Sequence, residues 1–200
     1  MSATVVLASS NPGKLREIAQ LLSGAHLTVI PQSSYDVPEV PETGLTFVEN
    51  AILKARNASR HTGLPAIADD SGLEVVVLDG APGVHSARYA GKNGSDEANV
   101  AKLLRELTGV PQDKRTARFQ CLMVYLRHAD VPTPIICQGT WDGRILFEPR
   151  GTSGFGYDPV FFVPTHNCSA AELPPEIKNQ ISHRGQALRK LIAAVAAART

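Results

Sequence analysis

The stretch Ala66-Ile67-Ala68-Asp69-Asp70-Ser71-Gly72 restricts the fold of this chain more than any other. Small and β-branched residues in an unbroken apolar run predict a strand covered on both faces, as in the sheets of α/β proteins. The run then meets two adjacent acids, a serine and a glycine. The pattern predicts that the strand stops at the acids and that Gly72 closes a turn. Asp69, Asp70 and Ser71 would then stand at the rim of a sheet, where α/β proteins keep their ligand sites. An Asx turn with no chemical role has the same residues, so the choice rests on what the rest of the chain supplies.

A chain of 200 residues is long enough to bury a substantial core, and no repeat, low-complexity linker or heptad divides it. One domain over 1–200, with two lobes, is the economical organisation. The formal charge of +1 gives no global attraction to nucleic acid or membrane, so an anionic ligand must be met by local basic groups. Cys121, Cys137 and Cys168 are odd in number and lack Cys-x-x-Cys spacing, which points to reduced thiols and away from disulfides or zinc. No basic leader precedes an apolar core, and no apolar run approaches about 18 residues; the expectation is a cytoplasmic protein.

Thr4 to Ala8 predicts a buried strand, followed by Ser9-Ser10-Asn11-Pro12-Gly13-Lys14 and a helix with Leu15, Ile18, Ala19 and Leu22 inward. Asn11 can cap that helix and Pro12 can take its first position, leaving amide donors free. Lys14 then lies in the first turn, where a cation is disfavoured unless an anion is nearby. The junction suits a phosphate, although the P-loop pattern is absent and a capped helix with a solvated lysine is equally consistent. A second strand near Leu27 to Ile30 leads into the proline-rich Pro31 to Pro41, read as a mobile loop. Thr46-Phe47-Val48-Glu49 is a capping box that opens a helix to about Arg60. On that helix Asn50, Lys54 and Asn57 share a polar face that either meets a ligand or faces solvent.

Beyond the acids, Leu73 to Leu78 predicts a strand, and Asp79 to Gly83 a turn. A helix capped by Ser95 or Asp96 buries Val100, Leu103, Leu104 and Leu107 and ends near Gly109. Strands follow at Arg118 to Leu126 and Ile135 to Trp141, with Asp142-Gly143 as a hairpin to Arg144 to Phe147. Trp141 suits packing there better than a ligand groove. His26, His61, His128 and His166 lack metal-like neighbours. Gly151 to Pro159 sets Phe155, Tyr157 and Asp158 among glycines, so that either aromatic could stack on a purine or plug the core. Lys178 precedes Ser182-His183-Arg184, where Ser182 can cap a last helix and two basic groups gather at its start.

Ser9 to Lys14, Glu42 to Phe47, Ile67 to Gly72, Gly154 to Pro159 and Ser182 to Arg184 resemble, in order and spacing, the bacterial members of the inosine/xanthosine triphosphate pyrophosphatase family. The similarity runs through nearly the whole chain. It departs at Ser9-Ser10, where the family usually shows Thr-Gly. The resemblance implies an α/β fold with a mixed, twisted central sheet flanked by helices, and two lobes around an active-site cleft. It also implies a homodimer that hydrolyses ITP, dITP and XTP to monophosphate and pyrophosphate with Mg2+.

By the same resemblance Ser9, Ser10, Asn11, Pro12, Gly13 and Lys14 bind the triphosphate. Glu42 and Asp70 serve the metal, and Asp70 accepts a proton from the attacking water. Ser71, Phe155, Gly156, Tyr157, Asp158, Lys178, His183 and Arg184 contact the nucleotide. A pyrophosphatase acting on modified pyrimidines or ordinary triphosphates, and a non-enzymatic purine-nucleotide sensor, are the competing readings. The acids favour the hydrolase, because a sensor needs donors for phosphate and no carboxylates beside them.

Overall fold

A computed structural model describes residues 3–22, 27–92 and 94–198, so His26 lies outside the described residues. Their strands form one mixed sheet in the order β2-β1-β3-β4-β5-β6-β7. β1 (Ala3–Leu7) is parallel to both β2 (Leu27–Pro31) and β3 (Ala66–Val75). β4 (Thr116–Leu126) and β5 (Ile135–Ile145) follow, with β6 (Phe161–Val163) antiparallel to β5 and β7 (Cys168–Ser169) antiparallel to β6. The helices are α1 (Pro12–Leu22), α2 (Phe47–Thr62), α3 (Asp96–Glu106), α4 (Pro175–Ile181) and α5 (His183–Ala197). The expected α/β class with a mixed sheet is the one found. No helix among the described residues is long and apolar enough to cross a membrane.

The chain separates into two compact units. The first comprises Met1–Asp70, Cys121–Gly139 and His183–Thr200; the second comprises Ser71–Gln120 and Thr140–Ser182. In the first unit the two-residue period of β1 sorts its side chains to opposite faces. Val5 and Leu7 pack with Ile18 and Leu22 of α1 and with Leu188 and Leu191 of α5. Val6 packs on the other face with Ala51, Ala55 and Ala58, the small-residue stripe of α2. Each apolar side chain removed from water contributes on the order of 1.5–3 kcal/mol, which is what holds both helix layers on the strands. In the second unit Phe119, Trp141 and Phe161 gather, with ring centroids 4.5–6.2 Å apart. Trp141 is therefore a packing residue.

Three local expectations fail, for related reasons. β3 does not stop at the acids; it runs unbroken from Ala66 through Asp69, Asp70, Ser71 and Gly72 to Val75. Each acid instead finds cations from helices distant in sequence, so the strand continues where local turn chemistry would have ended it. The strand expected over Leu73 to Leu78 ends at Val75, and Val76–Leu78 form a 3-10 turn closed by Asp79 at φ 51°. Asp142-Gly143 is no hairpin, because β5 passes straight through it. Gly143 serves close approach: a Cβ there would overlap the Phe162 carbonyl oxygen of β6.

Candidate active site

The continuity of β3 decides what the two acids do. Asp69 falls in step with Ile67, on the face packed by α1 and α5, whereas Asp70 falls in step with Ala66 and Ala68, on the face packed by α2. Adjacent carboxylates are thereby sent to opposite faces of the sheet.

On the first face, Asp69 is 1% exposed and its Oδ2 accepts from Lys14 Nζ at 2.9 Å and from an Arg184 guanidinium nitrogen at 3.4 Å. Arg184, 2% exposed at the start of α5, also donates to Glu17 Oε2 of α1 at 2.5 Å. Burial pushes the Asp69 carboxyl up, but Lys14, Arg184 and Lys54 outweigh it and hold the group well below the usual carboxylate range. The loop before α1 forms as its residues predict. Asn11 Oδ1 accepts the Lys14 amide at 3.0 Å, and the Asn11 amide donates to Ser9 Oγ at 3.3 Å. Lys14, unfavourable in a first turn by itself, has its anion within the chain in Asp69.

On the second face, Lys54 Nζ of α2 lies 2.9 Å from Asp70 Oδ1 and 2.9 Å from Glu42 Oε1. Burial raises the Asp70 carboxyl above its ordinary value, with Lys54 opposing. Burial works against the Lys54 ammonium, yet Asp70, Asp69 and Glu42 raise its pKa. Asp70 Oδ2 is buried and has no hydrogen-bond partner among the described residues. The capping box is present: the Glu49 amide donates to Thr46 Oγ1, and the Thr46 amide donates to Glu49 Oε2.

The polar face of α2 turns toward the segment that precedes the helix. It fastens the proline-rich segment, where a mobile loop was expected. Asn57 Nδ2 donates to the Pro38 carbonyl at 2.7 Å, Lys54 to Glu42, and Asn50 Oδ1 accepts the Gly44 amide at 2.8 Å.

The donor set suits a hard divalent cation. Magnesium takes one or two carboxylates together with substrate phosphates and needs no all-protein cage. Among the described residues no group of three or more His, Cys, Asp or Glu forms such a cage, whereas the Glu42 and Asp70 carboxylates converge on one ammonium. The buried Asp70 Oδ2, with no hydrogen-bond partner among the described residues, is a donor atom that a cation could use.

In the second unit, Asp158 Oδ2 accepts the Phe155 amide at 2.9 Å and Lys178 Nζ at 2.5 Å. The ammonium stands 5.3 Å from the centre of the Phe155 ring. Gly156 donates its amide to Asp96 Oδ2 at 2.7 Å. Tyr157 is buried and its hydroxyl donates to the Ser86 carbonyl at 2.9 Å, so this ring plugs the core. Phe155 is the half-buried ring of the two, and Ser71 is likewise half-buried within β3.

Gly154 has a φ of 80°, and a Cβ there would overlap the Asp158 carboxylate. Gly154→Ala is therefore expected to lower Tm by several degrees, through a strained backbone and a displaced Asp158. An unchanged Tm in thermal denaturation would show that the loop tolerates the shift.

Of the residues singled out from sequence, Lys14, Glu42, Asp70 and Arg184 enter ion pairs of the first unit, and Asp158 and Lys178 pair in the second. His183 is buried at the head of α5. Glu17, Asn50, Asn57 and Asp96 carried no site assignment. The Asn50–Lys54–Asn57 spacing was a usable signal. Glu17 had none, since its partner Arg184 lies 167 positions away.

A profile of the Ham1 family matches residues 5–194. The dITP/XTP pyrophosphatase of Vibrio cholerae is 58% identical over 196 residues, covering 98% of this chain and 98% of that protein. The dITP/XTP pyrophosphatase of Escherichia coli O157:H7 is 59% identical over 191 residues, 96% of this chain and 97% of that protein. Among solved structures, a HAM1 protein from Coxiella burnetii matches with a TM-score of 0.90 at 50% identity, covering 97% of this chain and 98% of that one.

Proposed function

The chain belongs to the Ham1 family, and on that premise we propose that it is a nucleoside triphosphate pyrophosphatase acting on the non-standard purine nucleotides ITP, dITP and XTP. The products are the nucleoside monophosphate and pyrophosphate, and the role is to clear such nucleotides from the pool. The observation that carries this reading is the pair Glu42 and Asp70 converging on Lys54, in the same unit as the Lys14 loop.

Water attacks the α-phosphorus and pyrophosphate leaves. Asp70 accepts the proton from that water. Ser9, Ser10, Asn11, Pro12, Gly13 and Lys14 form the loop that holds the triphosphate at the head of α1, with the Lys14 ammonium as a donor. Glu42 and Asp70 would hold Mg2+, which when bound neutralises charge on the phosphates. Ser71 contacts the substrate. Phe155, Gly156, Asp158 and Lys178 bind the nucleoside, with the Phe155 ring as the stacking surface and Tyr157 packed beneath the loop. His183 and Arg184 bear on the base, as donors that match a 6-oxo acceptor and leave a 6-amino group poorly paired. On the family resemblance, the enzyme is a cytoplasmic homodimer over a single domain, 1–200; light scattering would check the dimer.

A panel of nucleotides with Mg2+, read separately for pyrophosphate and orthophosphate, tests the reading. ITP, dITP and XTP are expected to release pyrophosphate first, far faster than ATP or GTP. Orthophosphate as the first product would overturn attack at the α-phosphorus. Binding of ITP without turnover would point to a sensor.

A further inference from the structure

We propose that Asn50 and Asn57 are positioning residues for the Glu42 carboxylate, clamping the segment 38–44 onto α2; this rests on the reading of Glu42 and Asp70 as metal carboxylates. Three side chains at positions 50, 54 and 57 lie along one face of the helix, and each reaches the same segment. Asn50 is fully buried and holds Gly44 at both ends, accepting its amide at 2.8 Å and donating to its carbonyl at 3.4 Å. Gly44 sits so close that a Cβ there would lie 2.5 Å from Glu49 Cβ and 2.8 Å from Asn50 Oδ1. Asn57 holds Pro38 at the other end. From the phosphate loop, Ser10 Oγ donates to Glu39 Oε1 at 3.1 Å, inside the same segment.

Glu42 thus belongs to an irregular stretch fastened on either side of it. The requirement is physical. β3 fixes Asp70 rigidly, whereas a carboxylate on a proline-rich loop has no regular backbone to set its distance from Asp70. Residues that orient metal carboxylates from behind change metal affinity by about 10–100-fold when removed. Asn50 and Asn57 act here through the backbone that carries Glu42, without touching the cation themselves.

Mn2+ binding to the protein without nucleotide, followed through the electron paramagnetic resonance signal of the unbound ion, separates the possibilities when read with Tm for each variant. Asn50→Ala is expected to weaken Mn2+ binding about tenfold, and Asn57→Ala several-fold, the latter with Tm close to wild type. Glu42→Gln is the reference and is expected to lose most of the binding.

Wild-type Mn2+ affinity in Asn57→Ala and in folded Asn50→Ala, beside weakened binding in Glu42→Gln, would overturn the positioning role. Unchanged binding in Glu42→Gln would instead overturn the metal reading beneath it. A lowered Tm with unchanged Mn2+ affinity means that the asparagines serve the fold alone, which also overturns the proposal. Should Asn50→Ala fail to fold, Asn57→Ala decides, since truncating that partly exposed side chain leaves the alanine stripe of α2 untouched.

Discussion

Replacing Asp70 with asparagine is expected to lower kcat by about 10³-fold or more, combining loss of a general base with loss of a metal carboxylate. The fold is expected to survive. An asparagine oxygen can still accept from Lys54 Nζ, now 2.9 Å from Asp70 Oδ1, and Lys54 retains Glu42 at the same distance. Burial already disfavours the ionised Asp70 carboxyl, so a neutral amide removes a desolvation cost along with the charge. Pyrophosphate release under saturating ITP, with Tm and circular dichroism as controls, is the measurement. A kcat near wild type would remove Asp70 from the mechanism.

The neighbouring substitution, Asp69→Asn, is expected to do the reverse, damaging stability first. Asp69 is the counterion of Lys14 and of the buried Arg184, and removing one partner of a buried pair costs roughly 3–5 kcal/mol. For a chain of this size the loss corresponds to a Tm lower by roughly 10 °C. The pH dependence has a definite sign. Burial alone would raise the Asp69 pKa, but Lys14, Arg184 and Lys54 hold it well below the unfolded value of about 3.9. A carboxyl with a depressed folded pKa contributes its stability in full above the unfolded value, and that contribution disappears as pH falls through the folded one. The gap in Tm between wild type and Asp69→Asn is therefore expected to stay constant from pH 5 to pH 8 and to close in strongly acid solution. A gap that closed between pH 7 and pH 5 would show that Asp69 is not the stabilising group.

Much of the scaffold was legible because its signals are local. Asn11 and Pro12 start α1, and the Thr46/Glu49 capping box starts α2. These features follow from donors and acceptors within one helical turn. The α/β class came with the family resemblance, and the buried apolar runs and amphipathic helices agree with it. Two of the three strand errors had a common source, since Asp-Asp-Ser-Gly and Asp-Gly are turn formers in isolation. In β3 and β5 their backbones are enlisted by the sheet, and tertiary contacts override the local preference. The site residues divide in the same way. Lys14 and Lys54 were visible as polar groups at suggestive positions. The pairing of Glu17 with Arg184 across 167 positions was not, because no local pattern connects the first helix to the last.

By itself the sequence determined that a buried strand leads into two adjacent carboxylates, that a capped helix presents Lys14, and that α2 has one polar face. Tertiary structure alone decided what those features do. A strand that continues through Asp69 and Asp70 must turn adjacent side chains to opposite faces, and the helices packed on each face then supply different partners. Asp69 meets Lys14 and Arg184 and becomes part of the frame, while Asp70 meets Lys54 beside Glu42 and keeps a buried oxygen with no hydrogen-bond partner among the described residues. The division of labour comes from the two-residue period of a β-strand, acting on a pair of identical residues.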